Sequence, residues 1–277
     1  MRNILLALLL LPLCGCFPFS QKIKDDTSAF QKAYPKGMKS IQKNGRTLGY
    51  AVSGKEGGSL VVFIHGSPGS WDAFSSYLMD PSLTTTARLV SVDRPGYGSS
   101  ERGRVEVSLQ NQAALISESI RAEGMGKPAI LVGHSLGGPV AARLAMDFPE
   151  LVSGLVLVAP SIDPAMEETK WFQIPANWFW VRWILPSALD VCNQEILPLK
   201  GELEKMLPLW KGIKIPVRLI QGLDDDLVPP ENADFAERVL IHADLKVTRV
   251  PGLNHFVPWS RPDLINAAIV ELLKDQK

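Results

Sequence analysis

Residues 133–137, Gly-His-Ser-Leu-Gly, place a serine between two glycines where an apolar run gives way to a helical pattern. Ala129 to Val132 form a short run typical of a buried parallel strand, and residues 138–147 carry apolar side chains at helical spacing. Glycine on both sides avoids Cβ clashes in such a strained turn, which leaves the serine hydroxyl exposed. The N-terminus of the helix favours the negative charge of a tetrahedral acyl intermediate. We therefore predict that Ser135 is the nucleophile of an acyl-transfer site.

An acyl-transfer site also needs two backbone N–H donors aimed at the developing oxyanion. One is expected from Leu136, directly after the nucleophile. The other is expected from Ser67 in the loop 65–69, His-Gly-Ser-Pro-Gly, which follows the apolar run 60–64. Each such donor typically contributes about 2.7–4 kcal/mol to transition-state stabilisation. His65 adjoins the strand, and we interpret it as a residue that fixes this loop by hydrogen bonds.

A serine hydroxyl needs a general base, and the chain has four histidines. Besides His65, His134 lies within the serine turn, where its side chain is expected to point away from the nucleophile's pocket. His242 is expected on the surface, after an amphipathic helix. His255 follows the apparent last strand, 245–250, so it lies at the carboxyl end of a strand, as Ser135 does. We predict that His255 is the general base.

The carboxylate that would orient this imidazole is expected at another strand end. Asp224, Asp225 and Asp226 follow the apolar run 217–220, and only one of them can take this role. A run of three aspartates is otherwise typical of a solvated turn. Asp163, after the preceding strand, is an alternative because its loop neighbours the same edge. The chain order is nucleophile, acid, histidine.

The elements that must position these residues alternate along the chain. Asn44-Gly45 between apolar segments predicts an antiparallel hairpin of residues 38–42 and 46–52. Continuous apolar runs separated by helix-length segments then follow, at residues 60–64, 89–92, 129–132, 155–158 and 217–220. This pattern predicts an α/β fold with a mostly parallel sheet covered by helices on both faces. In such sheets ligands bind at the carboxyl ends of the strands, where every candidate residue lies.

The segment at about 163–211 interrupts the alternation and is predicted to be an inserted helical cap. It contains five of the seven tryptophans, at positions 171, 178, 180, 183 and 210. Either these aromatic side chains form the cap's own core, or some of them line an apolar substrate pocket.

Length, composition and charge limit the number of domains and the kinds of partner to be expected. With 277 residues and 46% hydrophobic content, the chain is long enough for one large α/β domain, predicted at residues 37–277. Lys+Arg and Asp+Glu both number 29, and no basic cluster is dense enough to follow phosphates. We therefore expect no nucleic-acid partner.

The N-terminal sequence predicts where in the cell the protein is located. Residues 1–15 combine Arg2 with an apolar stretch too short to span a bilayer, as in a secretory signal peptide. Their end resembles the lipobox of bacterial lipoproteins, which would make Cys16 the lipidated first residue of the mature chain. Residues 16–36 then read as a polar tether. Phe17 after the cysteine favours the periplasmic side of an outer membrane. The alternatives are an ordinary signal peptide or a frayed apolar terminus.

From about residue 38 to residue 274, the chain resembles the cap-bearing esterase, epoxide-hydrolase and dehalogenase branch of the α/β-hydrolase superfamily. The serine turn, His65-Gly66 and the loop 93–100, Asp-Arg-Pro-Gly-Tyr-Gly-Ser-Ser, carry this resemblance. The family's Gly-x-x-Asp-x-x-x-Pro pattern, matched to Gly222 and Pro229, implies Asp225 as the acid. Serine as the nucleophile argues against the dehalogenase and epoxide-hydrolase branches, which use aspartate.

The resemblance implies hydrolysis through an acyl-enzyme, with no metal or organic cofactor. We expect a small-molecule substrate, a carboxylic ester with a small or medium apolar acyl group. A prolyl aminopeptidase-like activity and carbon–carbon bond hydrolysis use the same triad; in the former, Glu167 and Glu168 are candidates to bind a substrate amine. A lipid-anchored binding protein without turnover is a further alternative. Substrate-binding residues and the oligomeric state are not determined by these patterns.

Overall fold

An eight-stranded sheet forms the centre of the chain in the computed structural model, which describes residues 17–274. The strands are β1 (Met38–Lys43), β2 (Arg46–Gly54), β3 (Ser59–Ile64), β4 (Ala87–Val92), β5 (Ala129–His134), β6 (Val152–Val158), β7 (Val217–Gly222) and β8 (Leu245–Val250). Their order in the sheet is β1-β2-β4-β3-β5-β6-β7-β8. β2 is antiparallel to β1 and to β4, and all other neighbouring pairs are parallel. The mostly parallel sheet predicted from the apolar runs is confirmed.

Helices connect most of the strands. They are α1 (Phe17–Ala33), α2 (Pro81–Thr84), α3 (Leu109–Glu123), α4 (Gly137–Asp147), α5 (Gln173–Ala176), α6 (Phe179–Arg182), α7 (Ser187–Ile196), α8 (Leu199–Met206), α9 (Asn232–Val239), α10 (Val257–Ser260) and α11 (Pro262–Lys274). Short 3-10 turns occur at Trp71–Phe74, Tyr77–Met79, Pro149–Leu151 and Leu207–Gly212. Among residues 17–274, no helix combines the length and the apolar character needed to cross a bilayer.

The core lies on both faces of the sheet. In β3, Leu60, Val62 and Ile64 pack with α3, α4 and α9 on one face. Val61 and Phe63, which alternate with them, pack with α1 and α11 on the other. Successive side chains of a strand point to opposite faces, so a continuous apolar run is required where helices cover both.

The predicted hairpin is also confirmed. β1 and β2 pair from Met38 opposite Ala51 to Lys43 opposite Arg46. The two turn residues, Asn44 and Gly45, have φ values of 49° and 71°. Both values lie in the left-handed region that two-residue hairpins require, which explains the Asn-Gly pair.

The segment predicted as a polar tether, residues 16–36, differs from that expectation wherever the structure describes it. α1 packs on the body: Phe30 is fully buried, and its ring centroid lies 5.1 Å from that of Trp71. Phe19, Ile23 and Phe30 recur at helical spacing and form an amphipathic stripe that the mean polarity of the segment conceals. The segment is therefore a packed helix rather than a flexible linker. The predicted signal peptide and Cys16 lie outside the described residues.

The segment predicted as a cap holds four helices, α5 to α8, between β6 and β7. Its tryptophans do not share one environment. Trp210 is buried in the main core, with its ring centroid 5.7 Å from that of Phe235. Trp178, Trp180 and Trp183 are exposed, so they do not form a core of the cap.

Candidate active site

Ser135 lies on a sharp turn between β5 and α4. Its φ of 54° is in the left-handed region, which a serine adopts only where the surrounding structure imposes it. A Cβ on Gly133 would lie 2.4 Å from the Gly137 carbonyl oxygen, and one on Gly137 would lie 2.2 Å from that of Ile64. No side chain fits in either gap. The two glycines therefore permit a close approach of strand and helix that leaves the Ser135 side chain on the outside of the turn.

His255 and Asp225 are brought together across two loops. His255 Nδ1 lies 2.7 Å from Asp225 Oδ2, and both side chains are buried. Because a carboxylate only accepts hydrogen bonds, Nδ1 carries the proton, and Nε2 of the neutral ring has the free lone pair. The loops approach closely because Gly222, at the end of β7, has no side chain: a Cβ there would lie 2.2 Å from the Leu253 carbonyl oxygen.

The Asp225 carboxylate is held in place by its own loop. Its Oδ1 accepts hydrogen bonds from the backbone N–H groups of Leu227 at 3.0 Å and Val228 at 2.8 Å. The neighbouring Asp224 and Asp226 are exposed, as expected for solvated turn residues. Of the three consecutive aspartates, the structure thus brings only Asp225 to His255.

Asp163, the alternative acid, has different partners. Its carboxylate accepts hydrogen bonds from the Arg238 guanidinium at 3.2 Å and from the Ala165 N–H at 2.9 Å. The Asn232 side chain holds the Asp163 backbone by accepting its N–H at 2.8 Å. These contacts fix a loop and do not bring Asp163 into hydrogen-bond contact with His255.

The loop predicted to supply the second oxyanion donor lies against the serine turn. A Cβ on Gly66 would lie only 2.8 Å from the Cβ of Ser135, so the backbone of this loop passes directly beside the serine. Within residues 17–274, the backbone N–H groups of Ser67 and Leu136 donate to no protein acceptor. Two donors beside one serine are the arrangement that an oxyanion hole requires.

Ser135, His255, Ser67 and Leu136 all line one cavity of about 950 Å³, which we call the Ser135 cavity. Its volume lies in the range of small-molecule sites. Residues from the cap, including Glu167, also line it. In the part of the chain that the structure describes, no group of His, Cys, Asp or Glu side chains is placed to hold a metal ion.

Comparison with known proteins identifies the family. A family model described as the alpha/beta hydrolase fold matches residues 59–183. The proline iminopeptidase PfmaB of Pestalotiopsis fici is 31% identical over 269 residues, which cover 81% of this chain and 95% of that protein. The chain belongs to the alpha/beta hydrolase family. A hydrolase of this family is also what the serine turn and the two loops beside it predicted.

The names of other proteins similar to this alpha/beta hydrolase point to no single reaction. The AB hydrolase superfamily protein YfhM of Bacillus subtilis is 24% identical over 286 residues, covering 85% of this chain and 97% of that protein. Among solved structures, the epoxide hydrolase VrEH1 of Vigna radiata matches with a TM-score of 0.67 at 19% identity, covering 86% of this chain and 97% of that one. At this identity the likeness concerns the fold, so the substrate must be argued from the site itself.

In this alpha/beta hydrolase His65 fixes the loop beside the serine, as predicted. Its Nδ1 donates to the Gly66 carbonyl at 2.7 Å, and its Nε2 accepts from the Arg94 N–H at 3.0 Å. Burial, together with the Arg94 charge, holds the pKa of His65 well below its ordinary value. A neutral ring with one donor and one acceptor is what this pair of contacts requires.

The sequence reasoning missed a buried ion pair between this loop region and the cap. Arg94 donates to the carbonyls of His65 and Gly66 and to both carboxylate oxygens of Glu195, the latter at 2.8 Å. Tyr97 links the same Glu195 to Ser67, because its hydroxyl lies 2.6 Å from the carboxylate and 2.8 Å from the Ser67 hydroxyl. Arg94 lies within a recognised motif, but no local pattern marks Glu195. The pair ties α7 to the loop that presents the Ser67 N–H.

His134 differs from its expected orientation. Its ring packs against that of His255, with centroids 4.8 Å apart, and contributes to the Ser135 cavity. Its Nε2 donates to the His255 backbone carbonyl at 3.1 Å, so it supports the loop that carries His255. Burial, with a smaller effect from His255, lowers the pKa of His134 to about 3.

This depressed pKa predicts a specific loss of stability in acid. The pKa of His134 in the folded state lies below the ordinary value of 6.5. The contribution of neutral His134 to the free energy of unfolding is therefore complete above pH 6.5 and declines as the pH falls toward 3. Between pH 7 and pH 5, His134→Gln should lose less unfolding free energy than the wild type, by on the order of 2 kcal/mol. Urea denaturation at both pH values measures this difference. The exposed His242→Gln serves as the control; equal losses in His134→Gln and wild type would contradict the prediction.

Proposed function

We propose that this alpha/beta hydrolase is a serine hydrolase that cleaves a carboxylic ester with a small or medium apolar acyl group. One observation carries the proposal: Ser135, on its strained turn, lines the same cavity as His255, whose Nδ1 lies 2.7 Å from Asp225. Nucleophile, base and orienting acid are the three parts that activate a serine hydroxyl.

The proposed reaction has two halves. The Ser135 hydroxyl attacks the ester carbonyl while His255 Nε2 takes its proton, and the Asp225 carboxylate stabilises the imidazolium that forms. The N–H groups of Ser67 and Leu136 donate to the oxyanion. His255 then protonates the leaving alcohol, which yields the acyl-enzyme. A water molecule, activated by the same imidazole, attacks the acyl carbon and releases the acid with Ser135 restored.

The lining of the Ser135 cavity supports an apolar acyl group. Most of the surface that faces the cavity is apolar, and its aliphatic and aromatic side chains include Phe19, Ile23, Phe172, Leu189, Ile196 and Phe256. Burying an acyl chain against them contributes about 0.8 kcal/mol per methylene. Longer acyl chains should therefore lower KM until the cavity is filled.

A panel of p-nitrophenyl esters of increasing chain length, measured beside aminoacyl-anilides, tests this proposal. We expect kcat/KM to rise with chain length and then to fall, with the anilides cleaved far more slowly. Absence of ester turnover, together with no labelling by a fluorophosphonate probe, would overturn the proposal and favour a binding protein without turnover.

One observation favours a second candidate, an aminopeptidase-like activity. Glu167 lines the Ser135 cavity and its carboxylate accepts a hydrogen bond from Ser161. Burial raises the pKa of Glu167 above its ordinary value. A half-buried carboxylate at this place can pair with a substrate ammonium, whereas Glu168 is exposed and lies 3.5 Å from Lys170. Under this candidate, Glu167→Gln would raise KM for an aminoacyl-anilide selectively. Under ester hydrolysis, the variant would change ester turnover little.

The proposed location follows from the N-terminal sequence. We propose an exported protein anchored through a lipid on Cys16, on the periplasmic side of an outer membrane. We expect Cys16→Ser to shift the protein from the membrane fraction to the soluble fraction when the membranes are washed, because the acyl chains on Cys16 would supply the firm anchoring. Immunoblots of the two fractions measure the shift, and Cys192→Ser is the matched control. Processing of the wild type that is insensitive to globomycin would contradict lipoprotein maturation.

A further inference from the structure

The cap carries an exposed aromatic face, defined by Trp171, Trp178, Phe179, Trp180, Trp183 and Ile184. Phe179 is 81% exposed and Trp183 is 84% exposed. Scattered apolar residues on a surface are ordinary, but large contiguous apolar patches on soluble proteins mark interaction sites. These six exposed side chains fall within 14 consecutive residues, and the ring centroids of Trp178 and Trp180 lie 6.1 Å apart, so we treat them as one patch.

The aromatic face carries almost no charge. Residues 171–184 contain a single ionisable side chain, Arg182. Its Nε lies 2.8 Å from Asp190 Oδ1, so a neighbouring carboxylate on α7 neutralises it. A surface without net charge loses little solvation free energy when it leaves water. This composition favours an apolar or interfacial environment over a charged protein partner.

The aromatic face borders the mouth of the Ser135 cavity. Trp171 and the adjacent Phe172 line that cavity, and so do Phe19 and Ile23 of α1. α1 begins at residue 17, directly after the apolar N-terminal stretch and Cys16. The first helix of the described residues therefore lies along the same rim. Apolar side chains of α1 and the aromatic face thus lie beside one cavity.

We propose that the aromatic face docks on a phospholipid surface and orients the Ser135 cavity toward it. Tryptophan is enriched where membranes meet water, because its ring is apolar and its N–H can still reach water or a headgroup. α6 is a short helix with aromatic side chains on several sides and one neutralised charge, which suits the interface between lipid and water. Entry of an ester from the lipid surface into the cavity rests on the proposed function; docking itself does not.

Quenching by brominated phospholipids tests docking directly. The full chain carries Cys16→Ser, so that no lipid anchor contributes, and is mixed with phosphatidylethanolamine–phosphatidylglycerol vesicles containing lipids brominated along the acyl chain. We expect strong quenching of tryptophan fluorescence. Trp180→Phe/Trp183→Phe should clearly reduce the quenchable signal, with the remainder coming from Trp171 and Trp178, whereas Trp210→Phe, at a buried position, should leave it unchanged. No quenching, or equal quenching in the double variant, would overturn the proposal.

Activity provides a second, separable measurement. Trp180→Ser/Trp183→Ser should lower turnover of a long-chain ester dispersed in vesicles by about tenfold or more, as each buried tryptophan contributes substantially to binding. Turnover of water-soluble p-nitrophenyl acetate should be unchanged, because neither side chain lines the Ser135 cavity. If neither ester is cleaved by the wild type, the proposed function fails while quenching still reports docking.

A second copy of the chain is the competing occupant of this face. Light scattering in buffer without lipid distinguishes it. A dimer that becomes monomeric in Trp180→Ser/Trp183→Ser, together with absent quenching by brominated lipid, would assign the aromatic face to self-association and overturn docking on lipid. A monomer that is quenched by vesicles supports the proposal.

Discussion

Replacing Ser135 by alanine is expected to lower kcat for a p-nitrophenyl ester by about a millionfold, because serine, base and acid act as one unit. The variant should also lose labelling by a fluorophosphonate probe. The backbone that imposes a φ of 54° remains, so alanine keeps the strain of the turn and removes only the hydroxyl. Residual rate above the reaction in water is expected from the oxyanion donors alone.

The matched control is Ser260→Ala, at an exposed position near the end of α10. It should retain wild-type kcat and full labelling. Circular dichroism and the unfolding transition establish that Ser135→Ala is folded. Equal labelling of Ser135→Ala and wild type would assign the nucleophile to another residue and refute the proposed mechanism.

Replacing Asp225 by asparagine is expected to lower kcat by about 10,000-fold. The asparagine amide donates a hydrogen bond to His255 Nδ1, so the ring proton moves to Nε2, and the nitrogen that must take the Ser135 proton in the proposed mechanism can no longer accept it. The amide oxygen can still accept from the Leu227 and Val228 N–H groups, so the loop geometry should persist. Steady-state kinetics, with kcat and KM separated, measure the effect.

Asp163→Asn is the matched control for the acid. We expect kcat within a few-fold of the wild type, because Asp163 pairs with Arg238 and a backbone N–H and makes no hydrogen bond to His255. Its effect should appear in the unfolding free energy. A loss of several orders of magnitude in Asp163→Asn alone would show that the orienting acid had been assigned to the wrong loop.

The rules that made the fold predictable act over a few residues. Apolar runs such as 60–64 and 129–132 predict strands covered on both faces, and Asn44-Gly45 predicts a hairpin with positive φ values. The serine turn is local in the same sense, because a Cβ at position 133 would clash with the Gly137 carbonyl oxygen four residues later. His255 was found by its place after a strand, since parallel strands bring their carboxyl ends to one edge.

Contacts between distant segments were not predictable in this way. Glu195 reaches Arg94 across 101 positions of sequence, and His134 supports the backbone of His255 across 121. The sequence predicts a polar tether at α1. Its apolar side chains Phe19, Ile23 and Phe30 are spaced as on one face of a helix, but they stabilise a helix there only because the body of the protein buries that face. Neither a mean hydropathy nor a motif contains that information.

The amino-acid sequence by itself determined the strand alternation, the serine turn and the loops that carry His255 and the three aspartates, because sterics and side-chain periodicity act locally. Residue spacing left four candidates for the orienting acid, namely Asp163 and the consecutive Asp224, Asp225 and Asp226. Only the family pattern favoured Asp225. Tertiary structure decided which carboxylate lies 2.7 Å from His255 and which tryptophans face outward. Both outcomes depend on how loops and helices pack, which is a property of the whole chain.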